Sequence, residues 1–184
     1  MDKIMIPTIR HMKYDNNPFK GFLYAGLMIN KETREPYVLE YNIRLGDPEC
    51  QSILTRMNSD LYEYIDASIK GKLNQMQPIE WKNEPSVCVV LVESGYPDSF
   101  EKGHKIFGLE NINSNETIVF HAGTKKDENG DIITAGGRVL GVTSTGKNFS
   151  EAISNSYREI DKISFGQNNT LFYRKDIGKR VMGY

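Results

Sequence analysis

The chain has 184 residues, 39% of them hydrophobic and 26% charged, with a formal net charge of −1. That suits one globular domain or two small ones, and the balanced charge excludes a broad nucleic-acid or anionic-membrane surface. Cys50 and Cys88 show neither zinc-like spacing nor a disulfide framework, and no stretch resembles a signal peptide or a membrane span, so free thiols and a cytoplasmic location are expected.

Residues 2–14 form a short, mildly amphipathic segment interrupted by Pro7, and residues 15–18 a turn. Residues 21–29 and 36–42 read as two apolar strands joined by the polar turn NKETRE. Alternation places Val38, Glu40 and Asn42 on one face of the second strand, with Leu39 and Tyr41 on the other. Arg44 lies just past that strand, and Asp47-Pro48 turns the chain into a short helix over 48–57. A second helix begins at the capping residues Asn58, Ser59 and Asp60 and ends before Gly71, with Leu61, Ile65 and Ile69 forming a core-facing stripe. A polar connector over 74–85 holds the only tryptophan, Trp81, and marks a boundary that divides the chain into 1–78 and 79–184.

Beyond the connector, SVCVVLV (86–92) is apolar enough for a buried strand, and Gly95-Tyr96-Pro97 breaks it. Residues 104–109, 116–122 and 138–143 are further strand candidates. Residues 127–131 form a hairpin turn whose Asn129-Gly130 pair suits positive φ. Residues 148–163 read as a helix opened by Asn148 and Glu151 in a capping-box arrangement, with Ile153, Tyr157 and Ile160 on one face. The tail, LFYRKDIGKRVMGY, adds a short strand and a basic end. The sequons at Asn115 and Asn168 carry little meaning without a secretory signal.

Three groups of residues could carry chemistry. Glu40 and Asn42 share a face, so a carboxylate and an amide could supply oxygen ligands to a hard cation, while Arg44 offers a planar fork to a carboxylate or phosphate. The bland alternative is a solvated edge hairpin. His121 to Lys125 and Ala135 to Arg138 are small-residue turns, each with one cation. A hairpin centred on Asn129-Gly130 could bring them together, so that Gly136, Gly137, Lys125 and Arg138 receive a phosphate; the alternative is a solvated turn. His121 alone fits a satisfied strand histidine, and Arg174 with Asp176 fits a structural ion pair. The third, GVTSTGKN (141–148), nearly matches a phosphate-binding loop, but Asn148 stands where a serine or threonine would hold Mg²⁺. A simple strand-to-helix turn explains it better.

The blocks GFLYAGLMI, VLEYNIRLGDPE, VFHAGTK, GGRVLGVT and YRKDIGKR, in this order, resemble phosphoribosylamine–glycine ligase (glycinamide ribonucleotide synthetase), an ATP-grasp family of purine biosynthesis. The likeness implies an α+β fold: the C-terminal portion of an ATP-grasp domain over 1–78, an antiparallel hairpin plus helices. A small, mostly β C-terminal domain with one long helix would follow over 79–184. It implies ATP-dependent ligation of glycine to 5-phosphoribosylamine through glycyl phosphate, with Mg²⁺ or Mn²⁺ as the metal. On that likeness Glu40 and Asn42 would bind the metal, Arg44 would stabilise the acyl phosphate, and Asp47 would orient an amine. Lys125 and Arg138, with Gly136 and Gly137, would hold the substrate phosphate.

Two departures stand out. Many ATP-grasp enzymes carry a first acidic ligand in the strand equivalent to Leu27-Met28-Ile29, which here is wholly apolar. The family's glycine-rich substrate domain and first ATP-grasp half have no counterpart, so the expected partner is that N-terminal half. A truncated frame, a split subunit and a partial chain are all compatible. A non-catalytic remnant or interaction module is the alternative function, although the intact Glu40, Asn42, Arg44, Lys125 and Arg138 favour a ligase fragment.

Overall fold

Pro7 does not interrupt the N-terminal segment; it sits in the first turn of a helix, α1 (Met5–Tyr14). The first backbone N–H groups of a helix have no intrahelical acceptor, so proline costs nothing there and its fixed φ favours the turn. These positions come from a computed structural model that describes residues 1–112 and 115–183. The chain divides into two units, Met1–Gly46 with Ser59–Ile79, and Asp47–Asn58 with Glu80–Tyr184.

In the first unit, β1 (Tyr24–Ile29) pairs antiparallel with β2 (Pro36–Asn42). The turn between them is held by Asn30, whose Oδ1 accepts from the amides of Glu32 at 2.8 Å and Thr33 at 2.9 Å. The pairing slips once: Gly26 faces Glu40 and Leu27 faces Val38, leaving Leu39 as an extra residue. Such a bulge reverses the facing of everything before it relative to everything after it. Val38 therefore does not share the face of Glu40 and Asn42, as alternation predicted; it lines a hollow against α1 together with Tyr41. Tyr41 also meets Thr8 of α1, hydroxyl to hydroxyl, at 2.8 Å.

The next helix, α2 (Glu49–Thr55), belongs to the second unit, and α3 (Leu61–Ile69) to the first. Asp60 caps α3 by accepting from the Tyr62 amide at 2.8 Å. The stripe of Leu61, Ile65 and Ile69 forms as expected. It faces no closed core, however, but a cavity of about 420 Å³ shared with Phe22, Leu73 and Ile79. Ile69 remains 66% exposed.

The second unit is built on β3 (Ser86–Glu93). Four further strands precede its central partner: β4 (Ile106–Phe107), β5 (Thr117–His121), β6 (Thr124–Lys126) and β7 (Ile132–Thr134). That partner, β8 (Arg138–Thr145), extends two residues past the expected end, so Ser144 and Thr145 are strand rather than phosphate-loop backbone. The antiparallel sheet runs β10–β3–β8–β5, where β10 is Leu171–Phe172. A two-residue β9 (Ser164–Phe165) pairs with β4. α4 (Phe149–Ile160) covers one face of the sheet and α2 the other. Val87, Val89, Leu91, Leu140, Val142, Ala152 and Ile160 make the core beneath α4.

Asn148 caps α4, its Oδ1 accepting from Glu151 N at 2.9 Å. The returning arm of the capping pair lands one residue early, as Glu151 Oε2 accepts from Lys147 N at 2.7 Å. A Cβ at Gly146 would lie 2.5 Å from Ala152 N. The glycine thus serves close strand-to-helix packing. The Trp81 connector is pinned to the 47–58 segment by the Met57–Trp81 bridge and by Lys82 N donating to Arg56 O at 2.7 Å.

A buried carboxylate ties the sheet to its loops. Glu93, 1% exposed, accepts from Thr170 Oγ1 at 2.6 Å and lies 3.0 Å from His104 Nδ1. Removing a partner from a buried charged group leaves its desolvation uncompensated. His104→Ala should therefore lower the unfolding free energy by about 1–3 kcal/mol in urea titrations. A loss below the scatter of surface substitutions would show that the contact is dispensable.

Candidate functional site

Past the bulge, Glu40 and Asn42 lie side by side, with Asn42 Nδ2 donating to Glu40 Oε1 at 3.1 Å. Among the described residues, the Asn42 amide oxygen accepts no hydrogen bond. Gly26 stands opposite Glu40, and a Cβ there would meet Glu40 Cγ at 3.1 Å and Oε1 at 3.7 Å. The glycine makes room for the carboxylate to lie across the hairpin, a contribution that only the pairing register reveals. The set is two hard oxygen donors, and among the described residues no group of three His, Cys, Asp or Glu could hold an ion. Such a pair fits a hard cation that takes its other ligands from phosphate and water oxygens. Arg44, in the same unit, donates from Nη1 to Leu45 O at 3.3 Å.

In the second unit, Asp47 and Arg138 meet. Arg138 Nη1 lies 3.2 Å from Asp47 Oδ2 and donates to Asp47 O at 3.3 Å, while Asp47 Oδ1 accepts from Gln51 Nε2 at 3.1 Å. Both charged side chains are about half exposed, so the pair adds at most ~1 kcal/mol of stability and its effect is to orient the guanidinium. Arg138 faces Val92 in the register, whereas Leu140 faces Leu91, so Val139 is an extra residue in β8. Unbroken alternation from Val142 and Leu140 would have aimed Arg138 at the core beneath α4. The bulge turns it to the α2 face instead.

The two small-residue turns do come together. Ala135 N and Gly136 N donate to Gly123 O at 2.7 and 3.2 Å, and Gly123 N donates to Arg138 O at 2.9 Å. A Cβ at Gly123 would sit 2.5 Å from Arg138 O, and one at Gly137 would sit 2.2 Å from the Tyr96 ring. These glycines are explained by close approach, and the Gly136 amide is spent within the turn. Lys125 lies on β6 opposite Ile133 and lines a hollow with Lys126, Asp127 and Asn129. Arg138 lines a different one, with Pro48, Tyr96, Phe172 and Arg174. His121 Nδ1 sits 3.0 Å from Thr124 Oγ1, inside its own turn. Arg174 forms the expected ion pair, Nε and Nη2 donating to the two Asp176 oxygens at 2.9 and 2.6 Å. Gln51 and the shared hollow of Arg138 and Arg174 carried no signal in the sequence, because they depend on which segments the sheet places together.

Comparison with known proteins is consistent along the chain. Residues 86–180 match the family model of the phosphoribosylglycinamide synthetase C domain, and residues 1–50 match that of the ATP-grasp (A) domain of the same synthetase. The phosphoribosylamine–glycine ligase of Rhodopirellula baltica is 42% identical over 180 residues, covering 97% of this chain and 40% of that protein. The bifunctional purine biosynthetic protein purD of Dictyostelium discoideum is 43% identical, covering 100% of this chain and 23% of its own length. A crystal structure of phosphoribosylamine–glycine ligase from Thermotoga maritima superposes with a TM-score of 0.75 at 35% identity, over 90% of this chain and 39% of that one. The chain therefore spans about 40% of the length of bacterial relatives such as the first. No helix among the described residues is long and apolar enough to cross a membrane.

Beside the Asp47 segment, burial raises the Cys88 thiol above its ordinary 9.0, and the Asp47 charge adds to the rise while a contact with Thr143 opposes it. The folded thiol thus stays protonated where the unfolded one ionises. Above about pH 9 the unfolded chain binds fewer protons, so this contribution is constant below that pH and is lost as pH rises. Denaturant midpoints taken from pH 7.5 to 10 should fall more steeply for the parent than for Cys88→Ala (all pH values approximate). Parallel curves would mean that the thiol does not couple folding to pH.

Proposed function

Because the chain belongs to the phosphoribosylglycinamide synthetase family, we propose that it supplies part of a phosphoribosylamine–glycine ligase. The reaction joins glycine to 5-phosphoribosylamine at the cost of ATP. The γ-phosphoryl group passes to a glycine carboxylate oxygen, giving ADP and glycyl phosphate. The amine nitrogen then attacks the carbonyl carbon, the bond to the phosphate oxygen breaks, and a proton leaves the nitrogen. Glycinamide ribonucleotide and phosphate result. Residues 1–78 would contribute to the ATP-grasp domain and 79–184 would form the small C-terminal domain, with the remaining ATP-grasp portion and substrate domain as the partner.

The observation that carries this reading is the pairing of Glu40 with Asn42 on one face of β2, within the segment that matches the ATP-grasp domain. These two side chains would hold Mg²⁺ or Mn²⁺, which when bound neutralises nucleotide phosphate charge. Gly26 leaves the space in which the Glu40 carboxylate lies. Arg44 would place its guanidinium against the acyl phosphate oxygens, where charge-assisted hydrogen bonds are strongest. Arg138 would receive the phosphate of phosphoribosylamine, with Lys125, Gly136 and Gly137 forming the nearby turns. In this reading Asp47 braces Arg138, in place of the contact with a substrate amine expected from the family likeness. Glycine and 5-phosphoribosylamine, the substrates of this reading, are water-soluble, which fits a cytoplasmic site of action.

The test is a complete enzyme in which this chain is joined to the preceding portion of the Rhodopirellula baltica relative. Sustained turnover of ADP should require both glycine and phosphoribosylamine. Glu40→Gln keeps the shape and removes the charge, and should reduce turnover about a hundredfold or more, the scale of losing one preorganised charged group. Near-normal turnover in that variant would remove Glu40 from the ligand set, and ADP release without glycine would overturn the proposed reaction.

A further inference from the structure

Arg138 does not border its hollow alone. The space, about 320 Å³ and entirely within the second unit, is also lined by Arg174, which reaches it from the segment after β10. That volume stands at the lower end of small-ligand cavities. Pro48, Tyr96, Phe172 and Tyr173 add largely apolar surface to the same lining.

Each arginine is held by a carboxylate. Asp47 engages only Nη1 of Arg138, and Asp176 engages Nε and Nη2 of Arg174. Among the described residues, Nε and Nη2 of Arg138 and Nη1 of Arg174 make no other hydrogen bond within the chain. The Arg174 hydrogen bonds hold the Asp176 carboxyl below its usual range. The backbone beneath Arg174 is anchored as well. Tyr157 of α4 donates its hydroxyl to Arg174 O at 2.8 Å and accepts from Ile177 N at 3.1 Å. Two planar cations on one hollow, each held by a carboxylate and only partly spent, suit a small dianion attached to a compact ring.

We propose that Arg174 is the second cation of the sugar-phosphate site, so that a pentose 5-phosphate binds with its phosphate between the guanidiniums of Arg138 and Arg174. This rests on the ligase reading and extends it, since it assigns the substrate phosphate to this hollow and not to the Lys125 hairpin. Asp47 and Asp176 are positioning residues: they aim the two forks and hold them apart without touching the ligand.

The experiment titrates the 184-residue chain with ribose 5-phosphate, inorganic phosphate and ribose, following backbone amide NMR shifts. Ribose 5-phosphate should move signals from residues around Tyr96, Arg138 and Phe172, and ribose alone should not. Arg174→Ala and Arg138→Ala should each weaken ribose 5-phosphate about tenfold to a hundredfold, the scale of one charge-assisted contact. Arg174→Lys should recover only part of the loss, because a point charge lacks the fork. Shifts confined to residues 125–130, or an Arg174→Ala chain that keeps parental affinity and amide dispersion, would overturn the assignment. In the joined enzyme the two proposals separate. Ligation that proceeds with unchanged phosphoribosylamine saturation in Arg174→Ala would sink this site and leave the ligase reading. Absent ligation with binding that still needs both arginines would do the reverse.

Discussion

The antiparallel pairing of β3 with β8 is the constraint from which the second unit follows. Seven residue pairs run from Ser86–Thr145 to Val92–Arg138, and the strands are covered on both faces, by α4 and by α2. Burial on two sides explains why β3 reads as a nearly continuous apolar run. It also makes partners matter for the polar groups there: Ser156 of α4 donates to Val87 O at 3.1 Å, and Thr117 of β5 and Ser144 share a 2.7 Å hydroxyl contact. A slip of one residue in that pairing would send every core side chain to the wrong face. The single slip that does occur, at Val139, affects only the strand end, and it is what presents Arg138 to the α2 side.

The hollow around Arg138 is framed by segments that the Glu93 clasp holds in place. Tyr96 follows Glu93 by three residues, and Phe172 follows Thr170 by two, so the contacts from Glu93 to His104 and Thr170 tie both walls to the end of β3. The Gly137 position then lets the Tyr96 ring lie directly against the backbone next to Arg138. Stability and site geometry thus depend on the same few atoms. A buried carboxylate with two partners is worth more here as a fixed point for loops than as a source of net stability.

The first unit works by the same device at smaller scale. A bulge at Leu39 puts Val38 on the α1 face with Tyr41 and leaves Glu40 and Asn42 on the other face. Bulges recur next to functional side chains because they re-aim one residue without breaking the ladder. In this chain one bulged residue directly precedes Glu40 and the other directly follows Arg138. Glycine completes each arrangement, Gly26 opposite the carboxylate and Gly137 beside the arginine, since a Cβ at either would crowd the neighbouring side chain.

Local chemistry in the sequence was sufficient for the elements whose signals are local. The apolar run at 86–93, the Asn129-Gly130 turn, and the caps at Asp60 and Asn148 each formed where propensity and capping place them. The order of the five sequence blocks was enough to indicate the family, and with it Glu40, Asn42 and Arg138 as residues to follow. What the sequence could not convey was pairing register. A bulge is one extra residue whose presence depends on the partner strand, so Val38 was assigned the wrong face, and nothing in 138–143 hinted that Arg138 escapes the core. Long-range partners were equally hidden: Asp47 and Arg138 stand ninety-one residues apart, and Glu93 and Thr170 seventy-seven. Those contacts exist only once the sheet closes, because burial on both faces of β3 and β8 decides which distant segments share one space.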